Sequence, residues 1–278
     1  MCRLLGVRAN HAVDLEFSML SAPKTPRAAG AFRGLANNNP DGWGMGWYDR
    51  GHPRVFKEPI SAIESEQLPR LAAEEFSNIF LCHVRKRTEG EVNYRNCHPF
   101  QYDDWLFAHN GRIEPIDPLR AKLSDHYRRA VLGETDSEVF FYWILQNIDR
   151  CEGDAVAGIR VAVLGLEEYT GLNFLLSDGE RLLAYREAKS EEDYYSLYYL
   201  VRGPGTPGPE EMRSKEVGSL IHSRKLREEK AVLVSSERLT GEEWHAIELG
   251  YLLVVGAQVE PRLIAIQPRV AAAEGSIG

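Results

Sequence analysis

The chain has 278 residues, of which 44% are hydrophobic and 27% charged, as in a globular protein with a sizeable core. Its formal net charge of −8 and the lack of a long basic stripe argue against nucleic acid as a partner. The sequence has no apolar run of the roughly 18 residues that span a bilayer. Its start lacks the features of a secretory signal. We therefore expect no membrane association and a cytoplasmic location, with the four cysteines as reduced thiols.

The first half of the chain mixes strand and helix patterns. A short apolar run predicts a strand over 2–7, and residues 13–20 predict a short helix. Turn residues at 39–42 and 49–53 border the segments GMGWY and RVFKE, which together predict a β-hairpin. Further patterns predict a helix over 63–76 and strands over 79–84 and 105–108.

The second half begins with a helix and continues mainly as strands. The segment TDSE at 135–138 is a helix-start signature, and the apolar run VFFYWILQNI follows it. Asp178-Gly179 indicates a hairpin turn. We expect one α+β domain over 2–266, with a Gly/Pro-rich loop at 202–211 and a flexible tail over 267–278. The strands are predicted at 172–176, 181–186, 195–201, 231–235, 251–255 and 263–266.

Cys2 stands directly behind the start methionine. Removal of Met1 would leave one residue with both a thiol and a free α-amine. An α-amine titrates near 7.7–8.0 and a free thiol near 8.5, so the amine can take the thiol proton without a histidine partner. The other interpretation is a small core residue that follows methionine by chance.

Arg85 follows the strand predicted at 79–84 and leads into a loop that contains glycine. An arginine there can form a bidentate pair with a substrate carboxylate, or it can be a surface residue paired with Glu89 or Glu91. The nearby pairs Cys82-His83 and Cys97-His98 raise the question of metal binding. Adjacent strand residues point to opposite faces, and the spacing is not a zinc pattern, so we expect no metal.

Two polar motifs follow. Asn110-Gly111 comes at the end of a strand, where Asn-Gly is ordinarily a hairpin turn. It can also form an oxyanion hole, with the Asn110 carboxamide and the Gly111 main-chain N–H aimed at one oxygen. Asp136 can serve as a helix N-cap, and its carboxylate can also hold a substrate ammonium group.

Together these residues describe one site. Cys2 would attack a carbonyl, Asn110 and Gly111 would hold the oxyanion, and Arg85 and Asp136 would bind an α-carboxylate and an α-ammonium group. A small molecule with an amino-acid end and a carbonyl further along is glutamine or a γ-glutamyl compound.

The chain resembles the class II glutamine amidotransferases, the cysteine members of the N-terminal-nucleophile hydrolases. The resemblance extends most specifically from Cys2 to about Glu138 and continues more weakly through NFLLSDGERLLAY and the segment 232–255. The chain is similar to the stand-alone bacterial branch of this family, which includes hydrolases of γ-glutamyl peptides. The motifs that carry the resemblance, in family order, are MCRLLG, NNPDGWGMGWY, HVRKRTEG, NCHPF, AHNGRI and GETDSE.

The resemblance implies a four-layer αββα sandwich of two antiparallel sheets between helical layers, and it implies no cofactor. It also implies that mature Cys2 forms a γ-glutamyl thioester, which is then hydrolysed. The residues to which it assigns roles are Cys2, Asn110 and Gly111 in catalysis, Arg85, Thr88 and Asp136 in substrate binding, and Gly42, Gly44 and His98 in support of the site.

The sequence departs from the large biosynthetic members of the family at two positions. They usually carry Trp after the arginine, where this chain has Lys86, and they often carry His after the threonine, where this chain has Glu89. The sequence after about residue 260 is also too short for a synthase domain. We expect a self-contained γ-glutamyl amide hydrolase. The alternatives are a glutaminase subunit that serves a separate synthase and a non-catalytic binder of γ-glutamyl ligands. The sequence also leaves open whether the protein forms a homo-oligomer.

Overall fold

The computed structural model describes residues 2–21, 24–25, 28–29, 32–203 and 230–267. The predicted tail at 267–278, apart from Gln267, lies outside these residues, as does the predicted loop at 202–211 beyond Gly203.

A seven-stranded antiparallel sheet contains the N-terminal strand. Its strand order is β13-β11-β12-β1-β6-β4-β5, so β1 lies near the centre and pairs with β6 on one side and β12 on the other. The predicted hairpin is confirmed as β4 and β5, which pair from Trp43↔Glu58 to Asp49↔His52. The strands are β1 (Arg3–Val13), β4 (Trp43–Asp49), β5 (His52–Glu58), β6 (Ser77–Val84), β11 (Tyr198–Arg202), β12 (Ala231–Ser235) and β13 (His245–Ala246).

A six-stranded antiparallel sheet lies opposite, with the order β15-β14-β10-β9-β8-β7. The predicted turn at Asp178-Gly179 connects β9 to β10, and Gly179 has a φ of 87° that favours glycine. The strands are β7 (Phe100–Tyr102), β8 (Trp105–Arg112), β9 (Gly171–Ser177), β10 (Leu182–Arg186), β14 (Tyr251–Val255) and β15 (Pro261–Ala265). Two further short strands, β2 (Lys24–Thr25) and β3 (Ala28–Ala29), pair only with each other.

The helices are α1 (Gln67–Glu74), α2 (Asp117–Lys122), α3 (Asp125–Ala130), α4 (Asp136–Arg150) and α5 (Ala155–Leu164). Helix α4 is buried along almost its whole length and packs against α5. Shorter helical segments that are not α-helical occur at Phe17–Ser21, Phe32–Asn38 and Tyr94–Asn96. Within the described part of the chain, no helix is both long and apolar enough to cross a membrane.

Three hydrophobic cores define four layers. The first lies between the two sheets and contains inward side chains of both, including Leu4, Leu81, Ala108 and Leu175. The second joins the six-stranded sheet to α2–α5, and the third joins the other sheet to α1 and the segments at 17–21 and 32–38. Burial of alternate residues on both faces of each sheet explains why so many strands are apolar along their length. The predicted α+β αββα sandwich is confirmed.

Several predicted boundaries were wrong. Helix α1 is shorter than the predicted 63–76, because the hydroxyl of Ser65 accepts the N–H groups of Gln67 and Leu68 at its start and Glu75 is already extended. Residues 13–20 form no regular α-helix, since β1 continues to Val13 and only a π-helical turn follows.

Candidate active site

Cys2 lies immediately before β1, beside the loop that leaves β6. The antiparallel pairing of Arg3 with Val84 places it there. Its half-buried Sγ accepts the main-chain N–H of Lys86 at 3.3 Å and donates to the Lys86 carbonyl at 3.5 Å. Burial raises the pKa of the thiol, although the hydrogen bond with Lys86 and the charge of Arg85 oppose this effect. The thiol is therefore protonated at neutral pH and needs a base before it can attack.

Arg85 is buried at the end of β6 and its guanidinium is held by main-chain carbonyls. Nη2 donates to Glu89 O at 2.7 Å and Nη1 donates to Glu91 O at 3.1 Å. The interpretation of Arg85 as a surface residue paired with a Glu89 or Glu91 carboxylate is therefore wrong. No ion pair among the described residues includes Arg85. A buried cation that has no carboxylate in direct contact is a favourable place for a ligand carboxylate.

Asp136 is also buried, and it is the first residue of α4. The expected N-cap role was wrong, because the preceding Thr135 caps the helix by accepting the N–H of Glu138. The Asp136 carboxylate instead accepts the main-chain N–H groups of Ile113 and Ser137, each at 2.8 Å. Burial raises its pKa to about 6, and these hydrogen bonds limit the increase.

Arg85 and Asp136 act on the same thiol. The charge of Arg85 lowers the pKa of Cys2 and the charge of Asp136 raises it. A positive and a negative group therefore lie within electrostatic reach of one nucleophile, although Arg85 follows a strand of the seven-stranded sheet and Asp136 begins a helix packed on the other sheet.

Asn110 and Gly111 lie inside β8, where they pair with Asn173 and Leu172. The hairpin-turn interpretation is therefore wrong. The Asn110 side chain is buried, and its Nδ2 has no hydrogen-bond partner among the described residues. This leaves a donor available to a ligand oxygen. A side chain at Gly111 would overlap the carbonyl oxygen of Gly171, so glycine is required here by the neighbouring strand.

Gly42 and Gly44 allow close contact beneath the site. Gly42 has a φ of 144°, and a Cβ there would lie 2.5 Å from Cys97 Sγ. Its carbonyl accepts the Arg85 N–H at 2.8 Å, so this turn supports the arginine. A Cβ at Gly44 would overlap the carbonyl oxygen of His98.

His98 is buried against His83, with 4.1 Å between the ring centroids. Burial lowers the pKa of both imidazoles, that of His83 to about 3, so both rings are neutral at pH 7. Neither ring has a hydrogen-bond partner among the described residues. The described residues contain no group of three or more His, Cys, Asp or Glu side chains arranged to hold a metal ion.

Thr88 lies in the loop that follows Arg85, where it lines an open cleft of about 470 Å³. The other lining residues are Arg87, Glu89, Gly90, Glu91 and Glu134.

Sequence reasoning missed two contacts that shape the site. The main chain of Lys86 contacts the Cys2 thiol, and the Asp41 carboxylate accepts the N–H of Arg87 at 2.8 Å. Asp41 was interpreted as a turn residue. The turn residues around Asp41 predict a local turn, but they do not predict a hydrogen bond to a loop 46 residues away in the sequence.

The comparisons with known proteins agree with this fold. The family model described as "Glutamine amidotransferases class-II" matches residues 1–273. The chain therefore belongs to the class-II glutamine amidotransferases, and the prediction that it is an enzyme is confirmed.

Two relatives and one solved structure illustrate the range of the match. An uncharacterised protein of Methanocaldococcus jannaschii is 31% identical over 91% of this chain and 69% of its own length. A γ-glutamyl-hercynylcysteine sulfoxide hydrolase of Mycobacterium tuberculosis is 28% identical over 52% of this chain and 58% of its own length. The fold is similar to that of a glutamine phosphoribosylpyrophosphate amidotransferase from B. subtilis, with a TM-score of 0.64 and 14% identity over 97% of this chain and 50% of that one.

Proposed function

We propose that the protein hydrolyses the γ-amide bond of glutamine or of a γ-glutamyl compound, with mature Cys2 as the nucleophile. The observation that carries the proposal is the position of the Cys2 thiol on the main chain of Lys86, next to the buried Arg85 and within electrostatic reach of the buried Asp136. The charged groups of an amino-acid end match this pair. The name of the mycobacterial relative, a γ-glutamyl hydrolase, supports the same substrate class.

The reaction has two steps. The α-amine of Cys2 takes the thiol proton as Sγ attacks the γ-carbonyl carbon, and the oxyanion receives hydrogen bonds from Asn110 Nδ2 and the Gly111 N–H. The C–N bond then breaks, and the leaving nitrogen takes the proton from the amine. In the second step the amine removes a proton from water, the water oxygen attacks the thioester, and the C–S bond breaks. Glutamate leaves and the thiol regains its proton.

The substrate would be oriented by its α-groups. Its carboxylate would pair with Arg85, which already has two of its donors fixed by loop carbonyls. Its ammonium group would pair with Asp136. Thr88 would form part of the cleft wall. Gly42, Gly44 and His98 would support the turn and the strand beneath the nucleophile.

The test is intact-mass measurement of the untagged protein before and after incubation with 6-diazo-5-oxonorleucine, a reactive glutamine mimic. We expect loss of Met1 and one adduct in the wild type, and no adduct in Cys2→Ala. Cys151→Ala, which removes another half-buried free thiol, is the matched control and should be labelled as the wild type is. A residue fused ahead of Cys2 should abolish both labelling and turnover.

An adduct that persists in Cys2→Ala would refute Cys2 as the nucleophile. Full turnover by protein that retains Met1 would refute the α-amine as the base.

A second candidate is a glutaminase that delivers ammonia to a separate synthase. It is favoured by the family to which the chain belongs, because an amidotransferase passes the amide nitrogen to an acceptor. Stoichiometric labelling of Cys2 without turnover of γ-glutamyl amides would support this candidate over the self-contained hydrolase.

A further inference from the structure

Glu89 follows Thr88 in the loop that leaves β6. Its main-chain carbonyl accepts Arg85 Nη2 at 2.7 Å. The residue therefore lies directly against the arginine proposed to bind the substrate α-carboxylate. Its side chain, 23% exposed, lines the cleft of about 470 Å³ that also contains Thr88.

The negative charge of Glu89 is incompletely compensated in the free protein. Its Oε1 lies 3.7 Å from Arg112 Nε, which is too long for a hydrogen bond. Arg112 is engaged more closely elsewhere, because its Nη2 donates to Glu114 Oε1 at 2.7 Å. No hydrogen bond among the described residues reaches the Glu89 carboxylate, so its oxygens can accept donors from a ligand.

Glu89 also acts on Asp136. After burial, the charge of Glu89 is the largest factor that raises the pKa of the Asp136 carboxyl. The geometry agrees, because the Glu89 carboxylate lies 3.7 Å from Arg112 Nε and the Asp136 carboxylate accepts the N–H of the next residue, Ile113, at 2.8 Å. A cation that binds next to both carboxylates relieves their repulsion, and the substrate ammonium group is such a cation.

Glu91 provides a comparison within the same loop. Its carbonyl also accepts a hydrogen bond from Arg85, but its carboxylate is 78% exposed and lies 3.8 Å from Arg87. Its charge is not among the main causes of the raised pKa of Asp136. The two glutamates thus share the main-chain role and differ in where their charge acts.

We propose that Glu89 is a specificity-determining residue that, together with Asp136, selects substrates with a free α-ammonium group. The inference rests on the proposed function and adds a second anionic contact to it. N-acylated or des-amino γ-glutaryl compounds would be rejected because they leave the Glu89–Asp136 repulsion in place.

The experiment compares two chromogenic substrates that differ only in the α-ammonium group, γ-L-glutamyl-p-nitroanilide and glutaryl-p-nitroanilide. We expect Glu89→Gln to lower kcat/KM for the γ-glutamyl substrate about tenfold, equivalent to about 1.4 kcal/mol. Its kcat/KM for the glutaryl substrate should stay within about twofold of the wild type. Glu91→Gln should preserve the wild-type ratio of kcat/KM for the two substrates. Glu89→Asp should recover part of the ratio that Glu89→Gln loses.

The pH profile supplies a readout that a merely structural role would not change. Without the Glu89 charge, Asp136 should ionise at lower pH, so the acid-side midpoint of kcat/KM for the γ-glutamyl substrate should move to lower pH in Glu89→Gln. The competitive inhibition constants of L-glutamate and glutarate give the same comparison for binding alone.

An unchanged ratio of the two kcat/KM values in Glu89→Gln would overturn the inference, whether neither value changes or both fall equally. If the wild type hydrolyses neither substrate and binds neither inhibitor, the proposed function itself fails and the inference fails with it. The wild-type measurement therefore distinguishes the two failures.

Discussion

Replacement of Asp136 by asparagine tests whether this carboxylate is held at a cost to stability for the sake of ligand binding. Burial raises its pKa from the ordinary 3.8 to about 6. The folded state therefore prefers the protonated form more strongly than the unfolded state does. The stability contributed by the protonated group is fully present below pH 3.8 and is lost as the pH rises through about 6.

The magnitude follows from the two pKa values. The difference between 3.8 and about 6 corresponds to about 3 kcal/mol, and about half of this loss falls between pH 5 and pH 8. An asparagine side chain cannot ionise. The unfolding free energy of Asp136→Asn minus that of the wild type should therefore increase with pH by about 3 kcal/mol in total, and about half of this increase should fall between pH 5 and pH 8. The amide also replaces one of the two hydrogen-bonded oxygens, at a cost of about 1–3 kcal/mol that does not vary with pH.

The assay is urea unfolding followed by tryptophan fluorescence at pH 5, 6.5 and 8. Asp125→Asn is the control, because Asp125 is an exposed carboxylate at the start of another helix. The Asp136→Asn variant should also lose most of its kcat/KM for γ-glutamyl substrates while it gains relative stability above pH 6. A stability difference that is constant or decreases with pH would refute the reasoning.

Substitutions at two other positions test the binding arginine and the packing beneath the site. Arg85→Ala should lower kcat/KM for γ-glutamyl-p-nitroanilide by a factor equivalent to roughly 2–5 kcal/mol of transition-state stabilisation. Arg85→Lys should not restore kcat/KM, because lysine lacks the planar fork that reaches both loop carbonyls. Steady-state kinetics of both variants check this, and wild-type kinetics in either would contradict the assignment. Gly44→Ala should destabilise the fold by about 1–3 kcal/mol, since its Cβ would overlap His98 O and lie 2.9 Å from Phe56 O, both main-chain atoms. Thermal unfolding measures this effect against Gly34→Ala, whose Cβ would meet no atom within 4 Å. Equal melting temperatures would show that β4 can shift at no cost.

Elements with strong local signals were predictable. The hairpin of β4 and β5 is bordered by turn residues, and α4 follows its cap signature at Thr135. Helix α5 was missed because apolar residues, Val161 and Leu164, also occupy its exposed face, so the helical periodicity of its sequence is weak. The Asn110-Gly111 pair shows the opposite error, since a strong turn signal was overridden by pairing with β9.

The candidate site residues could be selected from the sequence because each type of chemistry requires particular side chains. A thiol beside an N-terminal amine, an arginine at a strand end and a carboxylate at a helix start are recognisable in one dimension. Their catalytic and binding roles stay predictions until the labelling and kinetic experiments are done.

The pattern of strands and helices in the sequence therefore determined the α+β class, and the motifs carried the resemblance that implies the αββα sandwich. The sequence also supplied the set of reactive residues. Only the tertiary structure decided how those residues act on one another. Cys2 contacts Lys86 because of the register between β1 and β6, and Glu89 acts on Asp136 because a loop from one sheet lies near a helix packed on the other. Coulombic and desolvation energies depend on distance and burial in three dimensions, and sequence separation specifies neither.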